Sequence, residues 1–255
     1  MLTLKNSEIH LWYADQADFN DEELESLILH WLTADEKNRY QRYYFDRQRN
    51  QFLLSRMVVR SVLSRYSSLP PSSWKFNENS HGKPTIDSSQ QQCPLFFNIS
   101  HSSGRIVLAV GKHNFIGVDI ERNDRSRRIL QIANRYFSKN ELEALKALPA
   151  AKQLARFYDL WTLKEAYIKA CGLGLSIALR HFSFDFLTQQ RLVVAFDSEL
   201  ADDPTHWQFW QIDTTGSFTL SLASKCEKQK ITKLLAYRLH GPEGLESADV
   251  TILRY

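Results

Sequence analysis

Two helix-start signals recur at comparable places in the two halves of this 255-residue chain. Each is a capping box, a hydroxyl residue followed three positions later by glutamate, at Thr33–Glu36 and at Ser138–Glu141. A long stretch with helical periodicity follows the first box, to about Tyr66. The second box opens a predicted helix over Glu141–Leu148, and another helix is predicted over residues 151–171, where Gly172 ends it. The repeat indicates a diverged internal duplication.

Further helices are expected at Asp21–Leu32 and Arg127–Tyr136, and short aromatic or alternating segments predict strands around them. The predicted strands are Glu8–Ala14, Trp74–Asn77, Phe96–Ile99, Arg105–Val110, Phe115–Glu121, His181–Phe186, Arg191–Phe196, Trp207–Asp213 and Phe218–Ser224. This order predicts an α+β fold of two similar halves, each a helix pair plus a small antiparallel sheet. We divide the chain into an N-terminal half, 1–113, a C-terminal half, 114–225, and an unassigned extension, 226–255.

The bulk properties exclude some classes of protein. A net charge of +3 does not make a polycation, so anion binding must come from local patches. No apolar run approaches the roughly 20 residues that span a bilayer, and no secretion signal is expected at the N-terminus. Cys93, Cys171 and Cys226 are widely spaced and show no zinc pattern, so we expect free thiols and a cytoplasmic protein.

The segment Ile116–Glu121 alternates apolar and acidic residues, which is typical of a strand with one buried face. Asp119 and Glu121 are therefore expected to emerge together on the face opposite the core. Two neighbouring carboxylates repel each other unless a cation neutralises them, and oxygen ligands favour a hard ion such as Mg²⁺. The alternative interpretation is a solvated strand end that carries two ordinary acids.

The predicted helix 151–171 carries a second feature. Trp161, Glu165 and Lys169 are spaced by four residues and share one helix face. A large aromatic residue beside two charges is unusual on a solvated face, which favours a functional site. A surface ion pair between Glu165 and Lys169 is the alternative.

A third feature is the run from Phe97 to Gly104, in which a strand ends in hydroxyls, an imidazole and a glycine turn. Such donors, with free backbone N–H groups, are able to hold a phosphate. Ser100 and His101 do not suit a hydrolase pair, because adjacent side chains of an extended strand face opposite ways. A polar hairpin turn is the plain alternative.

Taken in order, the motifs N-I-S-H-S, G-V-D-I-E and W-x-x-K-E-A-x-x-K resemble the surfactin-synthetase-activating (Sfp) type of 4′-phosphopantetheinyl transferase. The upstream turn Gly82-Lys83-Pro84 fits the same family, and the resemblance covers roughly residues 8–225. It implies two similar α+β halves with coenzyme A in the cleft between them. It also implies an enzyme that transfers the phosphopantetheine arm of coenzyme A to a carrier-protein serine, releasing adenosine 3′,5′-bisphosphate.

The resemblance assigns roles to individual residues. Asp119, Glu121 and Glu165 would be Mg²⁺ ligands. Glu165 would also be the general base for the carrier serine. Lys169 would neutralise charge near the transferred phosphate.

Coenzyme A contacts are implied for four further residues. Ser100 and His101 would touch its phosphates, Lys83 its nucleotide end, and Arg39 its 3′-phosphate. Residues 33–66 hold eight basic residues against three acidic ones, which suits that phosphate. The chain departs from some relatives at Gln51-Phe52, where they carry Arg and Thr. The remaining basic candidates stay unassigned, with a solvated face as the alternative: Arg47, Arg49 and Arg56.

The expected partner is an acyl or peptidyl carrier protein, met by a monomer that binds neither nucleic acid nor membrane. The loop Arg122–Arg128 is rich in arginine and is a candidate for an acidic carrier surface, with a plain solvated loop as the alternative. A magnesium-dependent nuclease or phosphodiesterase is the enzymatic rival, but it would need a longer basic groove with stacking aromatics. A non-catalytic coenzyme-binding module is the second rival.

Overall fold

The computed structural model describes residues 1–90, 94–124, 128–226 and 230–255, and these contain six α-helices and thirteen strands. The helices are α1 Asp21–Ile28, α2 Ala34–Gln41, α3 Asp46–Ser64, α4 Ile129–Tyr136, α5 Lys139–Ala147 and α6 Ala150–Cys171. The strands are β1 Glu8–Asp15, β2 Phe76–Glu78, β3 Pro84–Ile86, β4 Phe96–Ser102, β5 Arg105–Gly111, β6 Ile116–Arg122, β7 Phe182–Phe186, β8 Leu192–Phe196, β9 Trp207–Ile212, β10 Phe218–Lys225, β11 Lys233–Arg238, β12 Glu246–Ala248 and β13 Ile252–Arg254. The predicted mixture of helices and sheets is confirmed.

Two larger sheets and two hairpins organise the strands. One sheet has the order β12-β11-β1-β5-β4, and the other has the order β13-β9-β10-β6. The first sheet is mixed, because β1 pairs parallel with β11 and antiparallel with β5. β2–β3 and β7–β8 form separate two-stranded hairpins. The C-terminal extension therefore supplies a strand to the edge of each larger sheet.

The long helix α3 is amphipathic, and its apolar stripe is fully buried against the first sheet. Leu53, Met57 and Val58 belong to the same core as Trp12 of β1 and Leu108 of β5. Removing this much apolar surface from water is the main stabilising contribution to this part of the fold. The helical periodicity predicted from the sequence is confirmed for this segment.

The first half does not contain one long helix from residue 33 to residue 66, and that prediction is wrong. α2 ends at Gln41 and α3 starts at Asp46, with Phe45 in an extended conformation between them. The break lets the Tyr43 ring pack against Phe52, with centroids 5.6 Å apart. Arg49 Nε also donates to the Tyr43 carbonyl (2.9 Å). Tertiary packing overrides local helical periodicity here.

Helix α6 lies directly against strand β6. A Cβ atom at Gly117 would come within 2.0 Å of the Ala166 carbonyl oxygen, so only glycine permits this approach. The helix ends at Gly172, whose φ of 70° is left-handed, as the sequence predicted. Because α6 and β6 carry the candidate acidic residues, this close packing determines the distance between them.

Other expectations concern the chain as a whole. Among the described helices, none is both long and apolar enough to cross a bilayer. Cys171 and Cys226 are free thiols, whereas Cys93 lies outside the described residues. The internal duplication, the cleft between two halves and the domain boundaries stay predictions.

Candidate active site

Strands β4 and β6 belong to different sheets, yet polar side chains join them. Three alternate β4 side chains each accept a hydrogen bond from a β6 backbone N–H: Asn98 from Val118 (2.8 Å), Ser100 from Ile120 (3.2 Å) and Ser102 from Arg122 (3.0 Å). These bonds replace part of the ladder that a neighbouring strand would provide, so the edge of β6 keeps its donors satisfied. We call these three residues the β4 ladder.

The β4 ladder also orients the two acids of β6. Ser100 donates its hydroxyl proton to Asp119 Oδ1 (3.0 Å), and Ser102 donates to Glu121 Oε2 (3.1 Å). Asp119 is buried, and Glu121 is half-buried one pleat further on. The two carboxylates therefore point the same way, as strand alternation predicted.

Lysine 169 of α6 completes the environment of Asp119. Lys169 Nζ lies 2.6 Å from Asp119 Oδ1 and donates to Ser100 Oγ (2.8 Å). The second oxygen, Asp119 Oδ2, is buried and has no hydrogen-bond partner. A buried carboxylate oxygen without a partner costs free energy, which makes this atom a natural ligand for a cation.

Glu165 of α6 is held near both strand acids. Burial raises the pKa of Glu165 to about 7, and repulsion from Asp119 and Glu121 acts in the same direction, partly offset by Lys169. Glu165 lies one helical turn before Lys169, whose ammonium is 2.6 Å from Asp119 Oδ1, so it shares the face of α6 that meets the strand acids. We call Asp119, Glu121 and Glu165 the acidic cluster.

The acidic cluster fits a hard divalent cation in its chemistry. Its donors are all oxygens, and it offers the unpartnered Asp119 Oδ2 and a carboxylate destabilised by its neighbours. Among the residues that the structure describes, no three or more Asp, Glu, His or Cys side chains already converge at metal-ligand spacing. Side-chain rotation would therefore have to bring the three carboxylates together.

A pocket of about 630 Å³ opens beside the acidic cluster, a size that suits a nucleotide-like ligand. Helix α3, the β2–β3 hairpin, strand β4 and helix α6 all contribute to its lining. Glu165 and Lys169 of the predicted site line it, as do His101, Lys83 and Arg39. The structure thus brings residues from two of the three sequence motifs to the pocket lining, while Asp119 of the third motif contacts Lys169 at its edge.

Helices α2 and α3 give the pocket a basic and aromatic part of its lining. Two guanidinium groups lie over the Phe52 ring, with Arg56 4.9 Å and Arg39 5.9 Å from its centroid. Arg56 Nε is 3.0 Å from Glu36 Oε1. Arg39 is largely exposed, and its ion pair with Glu78 is long, at 3.8 Å. We call Arg39, Phe52 and Arg56 the basic wall.

The other arginines considered from the sequence lie elsewhere. Arg49 is 3.5 Å from Asp46, and Arg47 is exposed. In the arginine-rich loop, Arg122 pairs with Asp124, and Arg128 precedes α4. Arg125 and Arg127 of that loop lie outside the described residues.

Two predicted coenzyme contacts have other neighbours in the structure. Ser100 is buried in the β4 ladder rather than exposed in the pocket. Lys83 lines the pocket, but its ammonium donates to three backbone carbonyls, and burial lowers its pKa to about 8. His101, on the opposite face of β4 from Ser100, does line the pocket, and Gln51 Nε2 lies 3.1 Å from both its ring nitrogens.

Sequence reasoning missed Asn98, Ser102 and Gln51. The period-two spacing of Asn98, Ser100 and Ser102 was a usable signal for one polar strand face. No local signal linked Gln51 to His101, because the two residues are 50 positions apart. Trp161 packs on Phe157 and Tyr136, which makes it part of the helix packing rather than the pocket.

Comparison with known proteins agrees with this arrangement. The family model "4′-phosphopantetheinyl transferase superfamily" matches residues 115–223, and "4′-phosphopantetheinyl transferase, N-terminal" matches residues 18–114. The chain is 35% identical to 4′-phosphopantetheinyl transferase HetI of Nostoc sp., over 69% of this chain and 73% of that protein. It is 36% identical to 4′-phosphopantetheinyl transferase Sfp of Bacillus subtilis, over 61% of this chain and 67% of that protein.

A solved structure, the holo-[acyl-carrier-protein] synthase of Thermotoga maritima, aligns with a TM-score of 0.36 and 17% identity, over 45% of this chain and 64% of that one. The family assignment rests instead on the two matched regions, which together run from residue 18 to residue 223, and on the extent of the HetI match. From these matches we conclude that this chain belongs to the 4′-phosphopantetheinyl transferase superfamily.

Proposed function

We propose that this protein transfers the 4′-phosphopantetheine group of coenzyme A to a serine of a carrier protein and releases adenosine 3′,5′-bisphosphate. One observation carries the proposal: Glu165 and Lys169, which adjoin the buried Asp119, line the same nucleotide-sized pocket as the basic wall. Relatives named as 4′-phosphopantetheinyl transferases support the same reaction.

The reaction is a phosphoryl transfer that depends mainly on positioning and charge neutralisation. The carrier serine oxygen forms a bond to the β-phosphorus of coenzyme A. The bond from that phosphorus to the bridging oxygen breaks, and the bisphosphate leaves with the electron pair. Lys169 and His101 would donate hydrogen bonds to oxygens that gain charge in this step.

Glu165 is the proposed proton acceptor for the carrier serine. Its carboxylate lines the pocket one turn before Lys169, which places it to take the proton of a hydroxyl bound there, directly or through a water. Asp119, Glu121 and Glu165 would hold Mg²⁺, which when bound supplies positive charge beside the diphosphate.

The basic wall is proposed to hold the nucleotide end of coenzyme A. Arg39 is the exposed cation there and would meet the 3′-phosphate. Arg56 is already paired with Glu36 and would add its stem and its stacked guanidinium to the wall.

We assign the pocket to the junction of an N-terminal half, 1–113, and a C-terminal half, 114–225. A cytoplasmic monomer completes the proposal, and the free Cys171 and Cys226 suit a reducing compartment.

The test is a transfer assay with coenzyme A, Mg²⁺ and an apo carrier protein. Mass spectrometry should find the carrier heavier by about 340 Da, the approximate mass of the transferred arm. Asp119→Ala should lower the rate by roughly a hundredfold to a thousandfold while the protein stays folded. Asp185→Ala, an exposed acid on β7, is the matched control and should keep the rate.

Two arms separate the rival functions. Cleavage of nucleic acid in the presence of Mg²⁺ would favour a nuclease, although no observation points that way. Coenzyme A binding that ignores Mg²⁺, together with no adduct on any apo carrier, would reduce the protein to a coenzyme-binding module. Full transfer by Asp119→Ala would remove the assignment of the acidic cluster.

A further inference from the structure

The β2–β3 hairpin forms one side of the pocket, and helix α6 forms another. The hairpin contributes Glu78 and the turn residues His81 and Gly82, whereas α6 contributes Glu165 and Lys169. These two elements are far apart in the sequence. The shape of the pocket therefore depends on whatever joins the hairpin to the helix.

Lys83 makes one such connection. Its ammonium donates to the carbonyl oxygens of Ala170 (2.8 Å), Asn114 (3.2 Å) and Ile116 (3.4 Å). An ammonium has three protons, so these three acceptors use all of its donor capacity. Ala170 is in the last turn of α6, where the carbonyl ends of the helix dipole favour a positive charge.

Asn79 makes the second connection from the other end of the same turn. Its Nδ2 donates to the Gly172 carbonyl (2.6 Å), just beyond the end of α6. Its Oδ1 accepts the backbone N–H groups of His81 and Lys83, both at 2.9 Å. One side chain thus closes the hairpin turn and attaches it to the helix.

The two surfaces are in tight contact at this junction. A Cβ atom at Gly172 would lie 2.8 Å from Lys83 Cδ and 3.1 Å from Asn79 Nδ2. The left-handed φ of Gly172 and this lack of space both require glycine. The hairpin therefore supplies the cap of α6, and the fit leaves little freedom for either element to move.

We propose that Lys83 and Asn79 are positioning residues that fasten the hairpin side of the pocket to the end of the helix carrying Glu165 and Lys169. The proposal rests on the proposed function, since it concerns how the hairpin side of the coenzyme A pocket is held in place relative to Glu165 and Lys169. In this proposal the Lys83 ammonium binds three backbone carbonyls and does not bind a phosphate of the coenzyme.

Two Lys83 substitutions separate positioning from phosphate binding. Lys83→Met keeps an unbranched stem and removes the ammonium that donates to the three carbonyls. Lys83→Arg keeps a permanent charge, but its planar guanidinium is too large for the enclosed ammonium site. The matched control is Lys75→Met, because Lys75 is an exposed lysine on the segment leading into β2.

The measurements are the unfolding midpoint without ligand and the Kd for coenzyme A. We expect both Lys83 variants to lower the midpoint by about 4 °C or more, since several hydrogen bonds to a charged group are lost. Both should raise the Kd about tenfold, and Lys75→Met should change neither value. Saturating coenzyme A should restore most of the transfer rate, so that KM rises more than kcat falls.

A wild-type Kd in Lys83→Arg would overturn the proposal, because an arginine is able to replace a phosphate-binding lysine. So would an unchanged or higher midpoint in Lys83→Met. Should Lys83→Met fail to fold, Asn79→Asp keeps the oxygen that closes the turn and replaces the donor to Gly172 by a carboxylate oxygen, which repels that carbonyl. It should raise the Kd about threefold, and an unchanged Kd would count against the proposal.

The midpoint and the Kd require no transfer activity. If the wild-type protein modified no carrier, the proposed function would fail while both readouts still reported on the connection between hairpin and helix. Conversely, normal transfer with unaltered midpoints and Kd values in all variants would leave the function standing and remove the positioning role.

Discussion

The two capping boxes start helices in the same way but differ in what their glutamates do next. Glu36 pairs with Arg56 and Arg60 of α3, and its side chain is 14% exposed. Glu141 pairs with Lys164 of α6 at 2.9 Å, and both side chains are essentially inaccessible, at 1% and 0% exposed. The same local motif therefore holds one long helix through a partly solvated contact and the other through a buried one.

This difference matches the chemistry of the two helices. α6 carries Glu165 and Lys169, whose positions decide whether the acidic cluster is assembled. α3 carries Phe52 and Arg56 of the basic wall, next to the exposed Arg39. We infer that the acidic side of the pocket is rigid, whereas the basic side adapts to the ligand. Each prediction below tests this contrast.

The largest expected loss in the free energy of unfolding is that of Glu141→Ala. The substitution leaves the buried Lys164 ammonium without its carboxylate partner, although Lys164 still donates to the carbonyls of Leu179 and Phe182. It also removes the acceptor of the Phe184 N–H. Breaking one partner of a buried ion pair costs about 3–5 kcal/mol, so urea unfolding should show a loss of that size. Glu143→Ala, an exposed change on the same helix, should cost less than about 0.5 kcal/mol.

Glu36→Ala should cost less than Glu141→Ala, about 2 kcal/mol in the same urea experiment. Water reaches the Glu36 carboxylate, and Arg60 keeps its bonds to the carbonyls of Trp74 (2.7 Å) and Pro71 (3.2 Å). Equal losses in the two variants would mean that burial does not distinguish the two capping boxes.

Ser100→Ala should lose about 1–2 kcal/mol of stability, because its hydroxyl serves the Ile120 N–H, Asp119 and Lys169 together. The transfer rate should fall at least about tenfold as Asp119 loses its orientation. Ser102, the next residue of the β4 ladder, contacts the half-buried Glu121. Ser102→Ala should therefore lose less stability and less transfer rate than Ser100→Ala. A larger effect at Ser102 would contradict the importance given to Asp119.

The smallest effect on stability belongs to Arg39→Gln. Its ion pair is exposed and long, so the free energy of unfolding should change by less than about 0.5 kcal/mol. The KM for coenzyme A should nevertheless rise about fivefold to tenfold, and added salt should reduce the difference from wild type. Steady-state kinetics at two ionic strengths provides the measurement, and a changed kcat with an unchanged KM would oppose the assignment.

Some features were predictable because they depend on short-range rules. Both capping boxes, the end of α6 at Gly172 and the shared face of Asp119 and Glu121 follow from local hydrogen bonding and strand alternation. These rules involve residues only a few positions apart, so one sequence is enough to apply them.

Other features depend on contacts between distant segments. The β4 ladder requires β4 to lie beside β6 although the two strands belong to different sheets. The parallel pairing of β11 with β1 joins residues more than 200 positions apart. Lys164 and Lys169 look alike in the sequence, and only the packing of α5 and α6 shows that Lys164 is the buried one. Such pairings carry no local signal.

The central claim is that the acidic cluster holds a divalent cation, and the Mg²⁺ dependence of the unfolding midpoint tests it most directly. In wild-type protein with coenzyme A, Mg²⁺ at about 100 times its Kd should stabilise the fold by about 2.7 kcal/mol. Glu165→Gln removes one carboxylate and its repulsion, so its midpoint without Mg²⁺ should equal or exceed that of wild type, and the Mg²⁺ shift should disappear. An equal Mg²⁺ shift in both proteins would contradict the account.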